Sequence, residues 1–408
     1  MEHPSVSLVI VSYNRPDDLA ICLTGVAQLY YPNFEIIVVT DPHSAKVAAD
    51  HAQANQIKRI EIADANISAA RNAGIRASAG DYIAFLDDDA VPEPTWLSTL
   101  MEGLLHHEAD CATGFVRGRN GVSFQWKAET IDAEGTSHPL TVPEDVASCP
   151  MAPNGQAIKT VGTNCIFRED ILRQVGGFDP RYHYYLDDGD LNMRLAKQGV
   201  KTAIVPQAQV QHGFRASHHR NASRAPKSLF DIGCSLFVYL DTYCAPEIIP
   251  TALHSARAHQ HNRIISMMCD GRLEPSTVAP LLESFDRGVA EAQSRIHEPC
   301  TENVAPTSAF HHFQTPYASP KMTWHKGRTF AINRTKARAL ERLRAHHRAT
   351  VFAFSFTSYA ATVTFHKDGY WLHRGGVFGR KKRTEPFFQI STFRKRCQYE
   401  ENTFRNVR

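Results

Sequence analysis

Long uninterrupted apolar runs are missing from these 408 residues. The first run, residues 6–11, falls well short of the roughly 20 residues that a membrane-spanning helix needs. The best later candidate, residues 229–243, is broken by Asp231 and Asp241. Met1-Glu2-His3-Pro4 carries no basic segment ahead of an apolar one, so neither a signal peptide nor a membrane span is expected. Cysteine is sparse as well. Nine residues, an odd number with no C-x-x-C pair, exclude a zinc ribbon or a disulfide framework and point to a reducing cytoplasm. No internal repeat is visible. The 21 histidines include the neighbours His106-His107, His218-His219 and His346-His347. Adjacent histidines rarely converge on one metal, so these pairs are expected at the surface.

What is present is a composition of 43% apolar and 21% charged residues, ordinary for a soluble chain long enough to form two or three domains. The formal charge of +3 conceals an asymmetry. From Lys321 onward there are 20 of the 45 Lys and Arg against 5 of the 42 Asp and Glu, which leaves 25 against 37 before it. An acidic body therefore carries a basic tail. Such a tail suits an anionic acceptor or a peripheral contact with the inner face of the plasma membrane, with a merely solvated basic face as the plainer alternative. The run Arg380-Lys381-Lys382-Arg383 comes with no nucleic-acid motif, and no nucleic-acid partner is expected.

The most informative stretch is Phe85-Leu86-Asp87-Asp88-Asp89-Ala90, an apolar strand that ends in three acids. Adjacent carboxylates repel one another, so this ending costs stability unless a cation sits among them. Asp87 and Asp89 are two apart and point the same way from an extended segment, while Asp88 faces elsewhere. Oxygen ligands at that spacing suit Mg²⁺ or Mn²⁺. A solvated acidic turn is the plainer alternative, and only the surroundings decide between them.

Those surroundings read as strands alternating with helices. Residues 7–12, 35–39, 57–62 and 80–87 are strand-like, with helices over 19–29 and from Asn66 through Ala77. The pattern predicts a doubly wound, mostly parallel sheet whose ligands bind beyond the carboxyl ends of its strands. A helix over 92–107 and a strand over 109–116 follow, then irregular loops over 117–155. Order returns at Gly162-Thr163-Asn164-Cys165. A second acidic cluster, Asp187-Asp188-Gly189-Asp190, opens a helix with more acid than its dipole requires. A strand over 201–205 is expected to end at Pro206, with Val210-Gln211-His212 forming another. Beyond it, residues 225–282 read as helical, 334–347 as a basic helix, 351–356 as a strand, and 362–372 as a hairpin around Lys367-Asp368-Gly369. The expected division is 1–215, then 216–345 as a mainly helical extension with a linker near 299–320, then 346–408 as a basic, aromatic, β-rich tail.

Taken together, residues 7–18, 35–41, 66–94, 162–167, 176–190 and 206–212 resemble the inverting glycosyltransferases of family 2, with a GT-A nucleotide-diphospho-sugar transferase fold. The resemblance implies that Asp87, Asp89 and His212 hold Mn²⁺ or Mg²⁺. It implies Asp188 as the catalytic base, with Asp187 beside it on the acceptor. Tyr13, Asp41, Arg71, Asp88 and Asn164 would contact substrate. It further implies a sugar-nucleotide donor, a UDP-sugar in the first instance, a glycan or lipid-linked acceptor, and a place in bacterial surface glycan or glycolipid synthesis. Two positions depart from the family pattern: Asp187 replaces the usual Glu, and Thr40 replaces an acid before Asp41. Two other readings remain open. Asp87-x-Asp89-x-Val91 also fits the nucleophile motif of haloacid dehalogenase-type phosphatases, and the fold could serve a catalytically silent sugar-nucleotide binder.

Overall fold

The computed structural model describes residues 3–213, 215–294, 306–317 and 321–408. The N-terminal part alternates strand and helix: β1 (Val6–Ser12), α1 (Pro16–Val26), β2 (Phe34–Thr40), α2 (Pro42–Asp50), β3 (Ile57–Glu61), α3 (Ile67–Ala77) and β4 (Tyr82–Asp87). Local chemistry sets the boundaries. Pro16 opens α1 with Asp17 and Asp18 in its first turn. Asp41 caps α2, and Asn66 caps α3 by accepting from the Ala69 amide at 3.0 Å. No helix is expected from the sequence at α2, and Asp41, implied above as a substrate contact, serves as its N-cap.

Next come β5 (Ala90–Pro92), α4 (Trp96–His106) and β6 (Cys111–Arg117). The helix expected from residue 92 starts four residues later, since Pro92 still belongs to a strand. The stretch expected as plain loops contains β7 (Phe124–Trp126), β8 (Glu129–Ile131) and β9 (Ser137–Pro139), followed by β10 (Ala157–Ile158). Then come β11 (Cys165–Arg168), α5 (Glu169–Gln174), α6 (Asp187–Lys197) and β12 (Thr202–His212).

One nine-stranded sheet runs β3-β2-β1-β4-β11-β6-β12-β5, with β7 paired to β6. It is parallel through β3-β2-β1-β4 and again at β6-β12, with β11 antiparallel to both of its neighbours. Pro206 does not end β12. The pairing with β6 shifts register between Val205 and Val210, and this irregularity accommodates a residue with no N–H to give. The strand then continues to His212, where it pairs antiparallel with β5, His212 opposite Ala90. Both faces of the sheet are covered. Leu8 and Ile10 pack with Leu23 and Leu100 of α1 and α4, while Val9 and Phe85 pack with Ala70, Ile75 and Leu191 of α3 and α6. Gly74 is required where α3 crosses β1, because a Cβ there would lie 2.3 Å from Val9 Cγ1.

The extension opens with three helices, α7 (Phe230–Tyr243), α8 (Ile249–Cys269) and α9 (Val278–Gln293). They share a core with Ile131, Tyr182, Leu186 and Met193, which ties them to the start of α6. Of the expected linker near 299–320, residues 299–305 and 318–320 lie outside the described residues. Residues 306–317 lie along the first sheet: Phe313 is buried against Phe34, and Thr307 and Ser308 bond to the carbonyls ending α3.

The final module contains β13 (Met322–Arg328), α10 (Ile332–Arg344), β14 (Arg348–Ser355), β15 (Thr362–Phe365), β16 (Tyr370–Gly376) and α11 (Phe393–Phe404). The hairpin expected over 362–372 is the antiparallel pair β15-β16. It belongs to a sheet ordered β13-β14-β16-β15, otherwise parallel. That sheet draws on residues 322–376 and so crosses the boundary expected at 346. Neither β13 nor α11 was anticipated, since both read as basic segments without a clear apolar period. No helix among the described residues is long and apolar enough to cross a membrane.

Candidate active site

The three acids form the turn from β4 into β5, at the carboxyl end of the sheet. Because β5 pairs with the last residues of β12, His212 is carried beside that turn. Its Nε2 lies 3.1 Å from Asp89 Oδ1 and 4.0 Å from Asp87 Oδ2. One ligand atom from each of Asp87, Asp89 and His212 lies within 4.8 Å of the other two. Two carboxylates and an imidazole at that spacing fit a divalent cation, with Asp87, the most exposed of the three, facing the cavity. The other ring nitrogen of His212, Nδ1, is 3.2 Å from Gln125 Oε1, which orients the imidazole.

Asp88 and Asp89 are held from behind by Arg15. Its two terminal nitrogens lie 2.7 Å from Asp88 Oδ1 and 2.7 Å from Asp89 Oδ2. Ser12 donates to Asp88 at 2.8 Å, and the Arg215 amide donates to Asp89 at 2.9 Å. Burial works against ionisation of Asp89, but His212 and Arg15 outweigh it and hold its carboxyl well below the usual range. Burial pushes Asp88 well above that range, with Arg15 offsetting part of the effect. Arg15 itself stays cationic: burial opposes its charge, and Asp88 and Asp89 overcome that. The sequence reading treated Arg15 only as part of a helix start. Its position in a loop after a strand, three residues before Asp18, gave little signal of this role.

The second acidic cluster faces the first across Arg71. This guanidinium is fully buried against the Phe178 ring, 4.9 Å from its centre. It pairs with Asp187, donates to Asp188 Oδ1 at 2.9 Å, and lies 3.7 Å from Asp87 Oδ1. The Gly162 amide holds the other Asp188 oxygen at 2.9 Å. A Cβ on Gly162 would fall 1.9 Å from Arg71 Nη2, so the backbone passes this close only as glycine. Burial, together with the Asp188 charge, pushes Asp187 up to about 7. Tyr185 and Leu186, which lead into α6, both adopt the left-handed conformation, with φ of 77° and 62°. Non-glycine residues rarely do so, and such strain is commonest where a site must be held in place. Asp190 turns away, binding Arg194 and Tyr243.

These groups line one cavity of about 400 Å³. Tyr13, Arg71, Asp87, Asp88, Asp89, Asp187, Asp188 and His212 all border it. Two expected substrate contacts do not. Asn164 is fully buried: its Oδ1 accepts from Trp96 Nε1 at 2.7 Å, and its Nδ2 donates to the carbonyls of Phe115 and Ala208. Every polar atom of its side chain is committed to joining α4, β6 and β12, so it is a core residue. Asp41 is occupied by the amides of Asn14, His43 and Ser44. Conversely, His219, expected at the surface, borders the cavity. Its ring stacks on Tyr184 at 3.8 Å, and its Nδ1 lies 3.4 Å from Asp231. Lys159, His183 and Arg220 also border it and were not anticipated.

Residues 7–176 match the profile of glycosyl transferase family 2. The chain is 26% identical over 235 residues to the O-antigen biosynthesis protein RfbC of Myxococcus xanthus, covering 54% of this chain and 18% of that protein. It is 29% identical over 218 residues to the pre-mycofactocin glycosyltransferase of Mycobacterium tuberculosis, covering 52% and 43%. The chain thus spans less than half the length of either relative. The solved structure of residues 1–349 of TarS from S. aureus in complex with UDP aligns over 59% of this chain and 65% of that one, at 15% identity and a TM-score of 0.44. This profile match lies over the strands that carry Tyr13, Arg71 and the Asp87-Asp88-Asp89 turn, so residues 7–176 form a domain of the glycosyl transferase family 2 type, within an α/β fold of GT-A type.

Proposed function

We propose that this chain is a metal-dependent, inverting glycosyltransferase that moves a hexosyl group from a sugar nucleotide, a UDP-sugar in the first instance, to an acceptor hydroxyl. The observation that carries this reading is that two acidic groups distant in sequence share one cavity. Asp87, Asp89 and His212 form one of them, Asp187 and Asp188 form the other, and Arg71 spans the two. Relatives named as glycosyltransferases support sugar transfer as the reaction class.

A divalent cation, Mn²⁺ or Mg²⁺, held by Asp87, Asp89 and His212 would neutralise charge developing on a leaving diphosphate. The remaining work falls to side chains of the chain itself. Asp188, fixed by Arg71 and by the Gly162 amide, accepts the proton of the attacking hydroxyl. Asp187, pushed up to about 7, is poised to hydrogen-bond that hydroxyl in either protonation state. Arg15 secures Asp89 from the side away from the cation and limits the repulsion among the three neighbouring acids. Tyr13, on the loop after β1, borders the donor side of the cavity. A single displacement on the face opposite the diphosphate inverts the anomeric configuration. The acceptor we assign is a glycan or lipid-linked hydroxyl, as in bacterial surface glycan synthesis.

A panel of sugar nucleotides incubated with and without Mn²⁺ tests the reading. We expect hydrolysis of at least one member that depends on the metal and rises with an acceptor, and NMR of the transfer product should show inversion. Binding of sugar nucleotides without any turnover would instead make the chain a silent binder. Release of phosphate from simple phosphate esters would favour the phosphatase.

A further inference from the structure

Six of the eleven large apolar side chains exposed among the described residues, Phe330, Phe356, Tyr359, Phe387, Phe388 and Ile390, gather at one corner of the C-terminal sheet. Their exposure runs from 59% at Phe388 to 94% at Ile390. The topology brings them together. β13, β14 and β16 are parallel, so Arg328, Ser355 and Gly376 all end at one edge. The loop after β14 and the segment after β16 are then stitched to each other. Phe378 donates its amide to Thr357 O at 3.1 Å, Gly376 donates to Tyr359 O at 2.8 Å, and Gln389 donates to Phe378 O at 2.8 Å. Arg328 covers the Phe356 ring at 3.9 Å. At the other end of the same strands, Gly369 and Arg348 bond to Gln28 and Leu29 of the N-terminal domain. Strands of seven and eight residues separate the two ends by roughly 20 Å at about 3.3 Å per residue.

The same corner is strongly cationic. Residues 374–395 contain seven Lys and Arg and a single acid, Glu385. That carboxylate is drawn inward, accepting the amides of Lys381 and Lys382 at 2.7 and 3.0 Å. Exposed apolar groups this concentrated mark an interaction surface on a soluble chain.

We propose that this corner docks on an anionic lipid bilayer, with Phe387, Phe388 and Ile390 entering the interface and the surrounding lysines and arginines meeting the headgroups. Charge complementarity would serve a soluble polyanion equally well. Such a partner, however, gives no return for leaving Ile390 almost wholly in water, whereas a bilayer rewards both features at once. The docking edge lies away from the Gln28 contact, so a planar partner approaches it without disturbing that seam. This surface is separate from the transfer chemistry and does not depend on it.

The full chain should sediment with vesicles of phosphatidylcholine containing about one-third phosphatidylglycerol, and not with phosphatidylcholine alone, at physiological ionic strength. Phe387→Ser/Phe388→Ser/Ile390→Ser and Lys381→Gln/Lys382→Gln/Arg383→Gln should each weaken binding by about tenfold or more, with circular dichroism and donor hydrolysis as in the native chain. A dye on Ile390→Cys should shift to the blue on adding anionic vesicles. Absence of native binding would overturn the proposal. So would an apolar triple variant that binds as tightly as the native chain, which would reassign the corner to a soluble polyanion.

Discussion

At the scale of single residues, the site depends on how closely two side chains from distant segments are held. Gly162 admits Arg71 only because it lacks a Cβ. Gly162→Ala should therefore displace the guanidinium from Asp188 and lower transfer by about 100-fold, since small misplacements of positioning groups cost that much. An unchanged kcat/KM would show that the contact is idle. Asn164 makes the opposite point. In sequence it resembles a ligand, a polar residue just before a strand near the acidic motifs. Only the fold reveals that Trp96, Phe115 and Ala208 consume its donors and acceptor. Asn164→Ala leaves those three groups buried and unpaired, and should cost about 3 kcal/mol in denaturant unfolding. A loss below about 1 kcal/mol would mean that the core relaxes around it. The acids themselves were legible, because three carboxylates after an apolar strand have no folding rationale. Arg15 and His219 were not, since neither carries a local pattern and both acquire a role only through tertiary contact.

At the scale of elements, the early strands announced themselves through continuous apolar runs such as Leu8-Val9-Ile10, and the N-caps through Asp and Asn. The elements that went unread lack such a signal. β12 continues through Pro206 by shifting register, and β13 and α11 carry their apolar residues among many cations. α11 helps close a buried polar network. His373 is fully buried, with Nδ1 2.9 Å from Glu400 and Nε2 2.7 Å from Arg408 Nη1. Arg408 also forks onto Glu93, at 2.6 and 2.9 Å. Since Arg408 can only donate, Nε2 must be unprotonated. Burial, aided by Arg408 and opposed by Glu400, accordingly takes His373 down to about 4. A base with a lowered folded pKa contributes stability that is present above its ordinary value near 6.5 and is lost as pH falls toward 4. The loss should reach about 3 kcal/mol. His373→Gln should flatten that part of the stability profile in denaturant titrations between these pH values. An unaltered profile would assign the acid sensitivity elsewhere.

At the scale of the whole molecule, the C-terminal module is seated on the domain that carries the site. Arg348 reaches the carbonyls of Gln28 and Leu29, Gln211 of β12 donates to Val363 O at 2.6 Å, and Arg408 holds Glu93, four residues beyond Asp89. The strand that supplies His212 and the turn that supplies Asp89 are thus both braced by residues more than 150 positions later. None of this is visible in the sequence, where the tail registers mainly as an excess of charge. What sequence could show was two acidic clusters, to which the proposed reaction gives a division of labour, and the fold brings both into one cavity.

The most direct test of that division compares Asp188→Asn with Asp89→Ala, using Mn²⁺ affinity by electron paramagnetic resonance alongside sugar transfer. We predict that Asp188→Asn keeps Mn²⁺ affinity close to the native value and loses transfer by about 10²–10⁴-fold, whereas Asp89→Ala loses both. Near-normal transfer by Asp188→Asn with metal still bound would contradict the account.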